Sequence, residues 1–218
     1  MNLPAAVLFD MDGTLVDTER LWWEAVSVVA DSIGRPLVAA DVDAVTGRSV
    51  AYTADYLHAT SDRPLSVESL VDCLERAFTA YVTDHIVPVP GAVELLDCLV
   101  DRGVPAAIVS ASPRSVVDLV ATNLGLHLFA TTVAVEDTAR TKPAPDPYEL
   151  AASILGVDPR GCVAVEDTEI GAQAALAAGC RVLAVPSEGQ RIAESSRLVV
   201  RKSLAELATH DLTALLGD

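Results

Sequence analysis

One apolar run closes on Phe9-Asp10-Met11-Asp12-Gly13-Thr14-Leu15. On an extended chain the i, i+2 spacing puts both carboxylates on one face. Two adjacent negative side chains repel unless a cation joins them or one holds a proton. Gly13 and Thr14 permit a tight turn and offer backbone N–H groups and a hydroxyl. A second acidic pair, Glu166-Asp167, closes the run Val163-Ala164-Val165 and is followed by Thr168 and a helical stretch. If the sheet brings these ends together, four carboxylates converge, which suits a hard divalent cation with oxygen ligands, Mg²⁺. A third run, Ala106–Val109, ends in Ser110-Ala111-Ser112, whose hydroxyl and the N–H groups opening the next helix suit phosphate. Lys142 lies in Thr141-Lys142-Pro143-Ala144-Pro145, where two prolines stiffen the loop. A nucleophilic carboxylate, a second one for proton transfer, a metal position, a hydroxyl and a cation are what phosphoryl transfer through an aspartyl-phosphate requires.

Each residue has a plainer reading. Asp10 and Asp12 alone could be a solvated strand end, and Lys142 a solvated loop lysine. Ser110, Ser112 or Ser115 could be a helix cap. Glu166 and Asp167 could serve the helix that follows, whose N-terminus favours negative charge. Asp146, between two prolines, reads as a residue holding its own loop.

The elements that must position these groups alternate. Apolar runs Ala5–Phe9, Ala106–Val109, Thr131–Val135, Cys162–Val165 and Arg181–Val185 suit parallel strands covered on both faces. Helical stretches Val93–Asp101, Ser115–Leu124, Tyr148–Leu155 and Glu169–Ala178 separate them, each stopped by a glycine. A short strand, Leu198–Val200, and a helix from Ser203 to about Leu216 complete the pattern. The fold class is α/β, a doubly wound, mostly parallel sheet of the Rossmann-like kind. The interval from Asp12 to the strand at Val109 far exceeds the dozen or so residues a crossover needs. Its residues look helical: Leu21, Ala25, Val28 and Val29 mark one face, and Leu70, Leu74, Ala77, Phe78 and Tyr81 another. Residues 1–17 and 87–218 are therefore expected to form the core, and 18–86 an all-helical subdomain inserted after the first strand.

The chain has 218 residues and a net charge of −16, with 51% apolar and 4% aromatic residues. Disorder is excluded, and the core must be built of Ala, Val and Leu. The acid excess opposes nucleic acid and anionic membranes. No apolar run approaches the roughly 18 residues of a membrane span, and the first residues lack a basic signal-peptide start, so a cytoplasmic protein is expected. Cys73, Cys98, Cys162 and Cys180 form no CxxC pair or zinc spacing and read as reduced, small apolar residues. The four histidines form no close ligand pair, and no GxxxxGK[ST], GxGxxG or GxSxG motif is present.

Asp10-Met11-Asp12-Gly13-Thr14-Leu15, Ser110 after a strand, Lys142-Pro143, and Glu166-Asp167 with Gly171 resemble, in order and interval, the four motifs of the haloacid dehalogenase superfamily. The resemblance spans the chain, because the helical insert sits where subfamily I members carry their cap. It implies that Asp10 is the nucleophile, and that Asp12 is the general acid for the leaving oxygen and then the base for water. It implies Mg²⁺ held by Asp10, the backbone carbonyl of Asp12, and Asp167, with Glu166 assisting. Thr14, Ser110, Ala111 and Lys142 would contact the phosphoryl group; Glu19, Trp22, Trp23, Gly47 and Arg48 are candidate cap contacts. Packing inside the cap is the competing role for the two tryptophans. Dehalogenating members lack an Asp at position 12, so a phosphatase or phosphotransferase is implied. Ser110-Ala111-Ser112-Pro113 is similar to sugar-phosphate phosphatases and to β-phosphoglucomutase. The mutase usually has a His four residues after the Thr that opens its first cap helix, where this chain has Trp22 after Thr18. The resemblance thus favours a phosphatase acting on a small phosphorylated metabolite such as a hexose or pentose phosphate, as monomer or homodimer. The mutase is the alternative, and a receiver-like phosphoacceptor or non-catalytic binding module a more distant one.

Overall fold

The computed structural model describes residues 3–46, 48–62, 65–186 and 190–207, without the side chains of Glu19, Asp43 and Asp84. Contacts divide the chain into two compact units, Met1–Val16 with Val87–Asp218, and Asp17–Ile86.

The first unit is built on a six-stranded, wholly parallel sheet of order β3-β2-β1-β4-β5-β6. The strands are β1 (Ala6–Phe9), β2 (Ala106–Val109), β3 (Thr131–Val133), β4 (Cys162–Glu166), β5 (Arg181–Ala184) and β6 (Leu198–Val200). Strands β1, β2 and β4 are buried at every residue, as expected when apolar chains without alternation are covered on both faces. Alternate residues Ala6, Leu8, Ala107, Val109, Ala164 and Val182 pack with Tyr148, Ala151, Ala172 and Ala175. Those partners come from helices α7 (Asp146–Leu155) and α8 (Glu169–Ala178). The small Ala side chains let α8 lie close to β4 and β5. Two further helices, α5 (Ala92–Asp101) and α6 (Arg114–Leu124), turn Leu95, Leu96 and Leu99, and Val116, Val117 and Val120, into the core. The strand order reverses between β1 and β4, so their C-terminal ends are neighbours. In open α/β sheets such a reversal leaves the crevice in which ligands bind.

Of the element boundaries that differ from expectation, three turn on capping bonds. Strand β3 stops at Val133 because Asp137 accepts the Ala134 N–H (2.8 Å) and starts a 3₁₀ turn over Val135–Asp137. Helix α6 starts at Arg114, and neither Ser112 nor Ser115 caps it; Glu136 accepts its first N–H at 2.9 and 3.1 Å. Ser203 does cap, accepting from Ala205 N, but the turn it opens is 3₁₀ over Leu204–Glu206. The expected continuation of that helix beyond Leu207 lies outside the described residues. All four cysteines are free thiols.

The second unit is helical: α1 (Thr18–Ser32), α2 (Val42–Val45), α3 (Val50–Thr60) and α4 (Val67–His85). Ser49 and Ser66 cap α3 and α4 through their hydroxyls. Trp22, Val26, Val29, Ala30, Leu57, Leu70 and Leu74 form its core, with Phe78 packed against it. Val28, expected on the apolar face, lies at the edge of that arc and is 49% exposed.

One polar cluster, centred on the buried Asp41, ties the insert together. Asp41 accepts from both terminal nitrogens of Arg35 (2.9 and 2.7 Å), from Val38 N (2.7 Å) and from the Tyr56 hydroxyl. The Arg35 hydrogen bond outweighs burial and, with Tyr56 and Val38, holds the Asp41 carboxyl well below the usual carboxylate range. A carboxyl depressed in the folded state stabilises above its unfolded pKa of about 4, and that contribution is lost as pH falls through the folded value. Asp41→Asn is therefore expected to cost about 2 kcal/mol at about pH 7, where it leaves the half-buried Arg35 without its counter-charge. Urea unfolding at about pH 3 should show a smaller difference, because below a pKa of about 4 the unfolded chain already binds the proton that the folded carboxylate refuses. A pH-independent difference would contradict the ion-pair account.

Candidate active site

The site is assembled where β1, β2 and β4 end. Asp10 extends the β1–β4 ladder, donating its N–H to Val165 O at 2.9 Å. The chain then turns: Leu15 N and Val16 N both bond Met11 O, and Gly13 N bonds Val16 O. Gly13 sits at φ +86°, and a Cβ there would lie 2.3 Å from Asp167 Oδ2. Glycine is thus demanded both by the backbone and by the carboxylate against it.

The loop before α7 brings Lys142 to this end of the sheet. Its ammonium donates to Asp10 Oδ1 at 2.6 Å and to Glu166 Oε1 at 2.7 Å. The lysine side chain is 6% exposed and that of Glu166 is not exposed at all. Glu166 Oε1 also accepts the Tyr148 hydroxyl at 2.5 Å, and Oε2 accepts the Thr168 hydroxyl at 3.2 Å. Thr168 in turn caps α8, accepting from Gly171 N at 3.1 Å. Ligand atoms of Asp10, Glu166 and Asp167 lie within 4.8 Å of one another, all three residues buried.

Asp12 goes elsewhere. Its Oδ2 accepts the hydroxyls of Ser110 (3.0 Å) and Ser112 (2.8 Å), while Ser110 Oγ also accepts from Ser112 N at 2.9 Å. The expected meeting of four carboxylates is thus one of three, with the Asp12 side chain turned toward β2. Strand β1 ends at Phe9 and Asp12 lies beyond it, bridged to Val16 where the turn begins, so the strand rule for i, i+2 does not govern Asp12. Ser110 is 1% exposed and Ala111 is exposed. Thr14 is buried, and neither its Oγ1 nor Asp10 Oδ2 has a hydrogen-bond partner among the described residues.

Burial first, then the charges of Glu166, Asp167 and Asp12, push the Asp10 carboxyl well above its usual range against the pull of Lys142. Burial alone would lower Lys142, but Asp10 and Glu166 raise it, so it stays an ammonium. With the three buried carboxylates ionised, one ammonium leaves two negative charges uncompensated, the charge of one divalent cation. An all-oxygen donor set and a buried, unpartnered Asp10 Oδ2 fit a hard divalent metal held by Asp10, Glu166 and Asp167.

Among the candidate insert residues, Trp22 has the packing role: its indole N–H donates to Val45 O at 3.0 Å, and its ring meets Phe78 edge-on at 5.4 Å. Trp23 packs against the same core. Arg48 is exposed, its guanidinium 5.0 Å over the Tyr52 ring. Gly47 and the side chain of Glu19 lie outside what is described. Sequence reasoning missed the site roles of Tyr148, Ser112 and Thr168. Tyr148 reads as an apolar helix residue, and Ser112 as a cap. Only the phenol so close after Lys142 was a usable signal.

Residues 4–179 match the family of haloacid dehalogenase-like hydrolases. The validoxylamine A 7'-phosphate phosphatase of Streptomyces hygroscopicus subsp. limoneus is 35% identical over 205 residues, covering 92% of this chain and 94% of that protein. Hexitol phosphatase A of Escherichia coli (strain K12) is 36% identical over 198 residues, covering 86% of each. The crystal structure of a mutant of CbbY from Rhodobacter sphaeroides in complex with xylulose-(1,5)bisphosphate superposes with a TM-score of 0.79 at 26% identity, covering 94% of this chain and 96% of that one. The match runs from the strand that carries Asp10 through the helix after Glu166-Asp167, so the four stretches converging on this pocket fall inside it, and the chain belongs to the haloacid dehalogenase-like hydrolase family.

Proposed function

We propose that the protein is a Mg²⁺-dependent phosphatase that hydrolyses the phosphate monoester of a small polyhydroxylated metabolite, a sugar phosphate or close analogue, through an aspartyl-phosphate on Asp10. One observation carries this reading: Asp10 presents one oxygen to Lys142 at 2.6 Å while the other is buried without a partner, beside two further carboxylates. The relatives, named for acting on a validoxylamine phosphate and on hexitol phosphates, support the polyhydroxylated leaving group.

Asp10, Glu166 and Asp167 would hold the metal, which supplies compensation for the charge that gathers on the phosphoryl oxygens. A carboxylate oxygen of Asp10 attacks phosphorus as the bond to the leaving oxygen breaks, and Asp12 gives that oxygen its proton. Water then attacks phosphorus, the Asp10–phosphorus bond breaks, and Asp12 takes the water proton. Lys142 neutralises a phosphoryl oxygen beside Asp10, and Ser110 exchanges its bond to Asp12 for one to the phosphoryl group. Thr14 and the Ala111 backbone complete its contacts. The helical insert Asp17–Ile86 serves as a cap that selects the leaving group.

Purified protein should release phosphate from a generic aryl phosphate when Mg²⁺ is supplied. Excess chelator should lower the rate at least about 100-fold, and added Mg²⁺ should restore it. Equal rates in chelator would refute the metal assignment.

A further inference from the structure

We propose that Tyr148 is a positioning residue that keeps Lys142 on Asp10 by way of Glu166, an inference that rests on the phosphatase reading above. Tyr148 is fully buried near the start of α7, its N–H bonded to Pro145 O at 3.0 Å. Its hydroxyl donates to Glu166 Oε1 at 2.5 Å, the same oxygen that accepts from Lys142 at 2.7 Å. Its ring lies 5.1 Å from the Lys142 ammonium. One side chain therefore touches both members of the pair that flanks Asp10.

An ammonium between two carboxylates moves toward the one whose charge is less engaged. The neutral hydroxyls of Tyr148 and Thr168 engage both oxygens of Glu166, Oε2 at 3.2 Å, a bias that a metal shared by Asp10 and Glu166 leaves in place. The imbalance holds Lys142 on Asp10 Oδ1, where a phosphoryl oxygen would need it. Without the hydroxyl, Glu166 Oε1 keeps only the lysine, and the ammonium is drawn away from Asp10. The ring face beneath it is indifferent to that displacement.

Tyr148→Phe keeps the ring and removes the hydroxyl. Calorimetric titration of inorganic phosphate into Mg²⁺-supplied protein should show affinity about tenfold weaker than wild type. In a Lys142→Met background the same substitution should cost nothing further, because its effect runs through the lysine. Wild-type phosphate affinity in Tyr148→Phe overturns the proposal, as does a double variant in which the two losses multiply. A Tyr148→Phe chain that fails to fold by far-UV circular dichroism also overturns it, since the hydroxyl would then be structural. Wild-type protein that turns over no aryl phosphate sinks the phosphatase reading instead. The phosphate titration needs no turnover and judges Tyr148 separately, and wild type that binds no phosphate counts against both.

Discussion

Asp10→Asn should lower phosphate release by at least about four orders of magnitude while leaving the fold in place. The amide has the shape of the carboxyl group, so the β1 end and its bond to Val165 O survive. It has no anionic oxygen to attack phosphorus, and the chain of steps stops at the first. Stability of the ion-free protein should not suffer. Asp10 is a carboxyl held above its usual range by burial and by three neighbouring acids, only partly offset by Lys142. A carboxyl raised in this way binds its proton more tightly folded than unfolded, so stability falls as pH rises from the unfolded pKa of about 4 toward the folded one. Asn removes that decline, and Lys142 keeps Glu166. The ion-free variant should therefore melt at or above the wild-type temperature near neutral pH. With Mg²⁺ the order reverses. Metal at about 100 times its dissociation constant stabilises the wild type by about 2.7 kcal/mol, roughly 5–10 °C for a chain of this size. The variant, one carboxylate short, should show a smaller rise. Scanning calorimetry with and without Mg²⁺ reads both effects. Turnover within about tenfold of wild type would remove Asp10 from the mechanism.

Asp10, Lys142 and the Glu166-Asp167 pair were legible as ionisable groups closing apolar runs or set in a proline-stiffened loop, and only the order of the four motifs set them apart from solvated surface charges. Parallel strands covered on both faces also announce themselves, as unbroken apolar runs bounded by polar residues. What escaped the sequence were partners rather than principals. Tyr148 occupies an apolar position on α7 and is buried like its neighbours, and nothing in the periodicity shows that its hydroxyl ends on Glu166. Ser112 is a reasonable N-cap by residue type, but Glu136 reaches back to cap α6 and releases it to Asp12. That capping contact spans the whole of α6 and β3, beyond the reach of local rules. Trp22 shows the reverse case: aromatic residues on an amphipathic helix serve substrate or core equally well in sequence. Only its bond to Val45 O and its edge contact with Phe78 decide.

Gly171→Ala tests whether the Glu166 carboxylate must stay where it is. Helix propensity alone makes Ala in place of an interior helical Gly favourable by about 0.5–1 kcal/mol. At this position an added Cβ would lie 1.9 Å from Glu166 Oε1 and 2.1 Å from its Cδ and Oε2. A clash with the end of a flexible side chain is ordinarily cheap, because the chain swings away. Glu166 has no such freedom: it is wholly buried, Lys142 and Tyr148 hold one oxygen, and Thr168 holds the other. Any swing breaks bonds to a buried charge, so the penalty outweighs propensity, and a net loss of about 2–4 kcal/mol is expected. Because Glu166 holds Lys142 and stands beside Asp10, turnover should fall at least about 100-fold, more than destabilisation of a still-folded chain explains. The Mg²⁺-dependent rise in melting temperature should shrink with it. Shortening the acid separates crowding from any general defect in α8. In Gly171→Ala combined with Glu166→Asp, one fewer methylene withdraws the carboxylate from the new methyl group. The double variant should therefore recover part of the stability that Gly171→Ala loses, a non-additivity that arises only if the two side chains compete for the same space. Additive losses, or wild-type turnover in Gly171→Ala, would mean that Glu166 adapts freely and that its hydrogen bonds do not set the site.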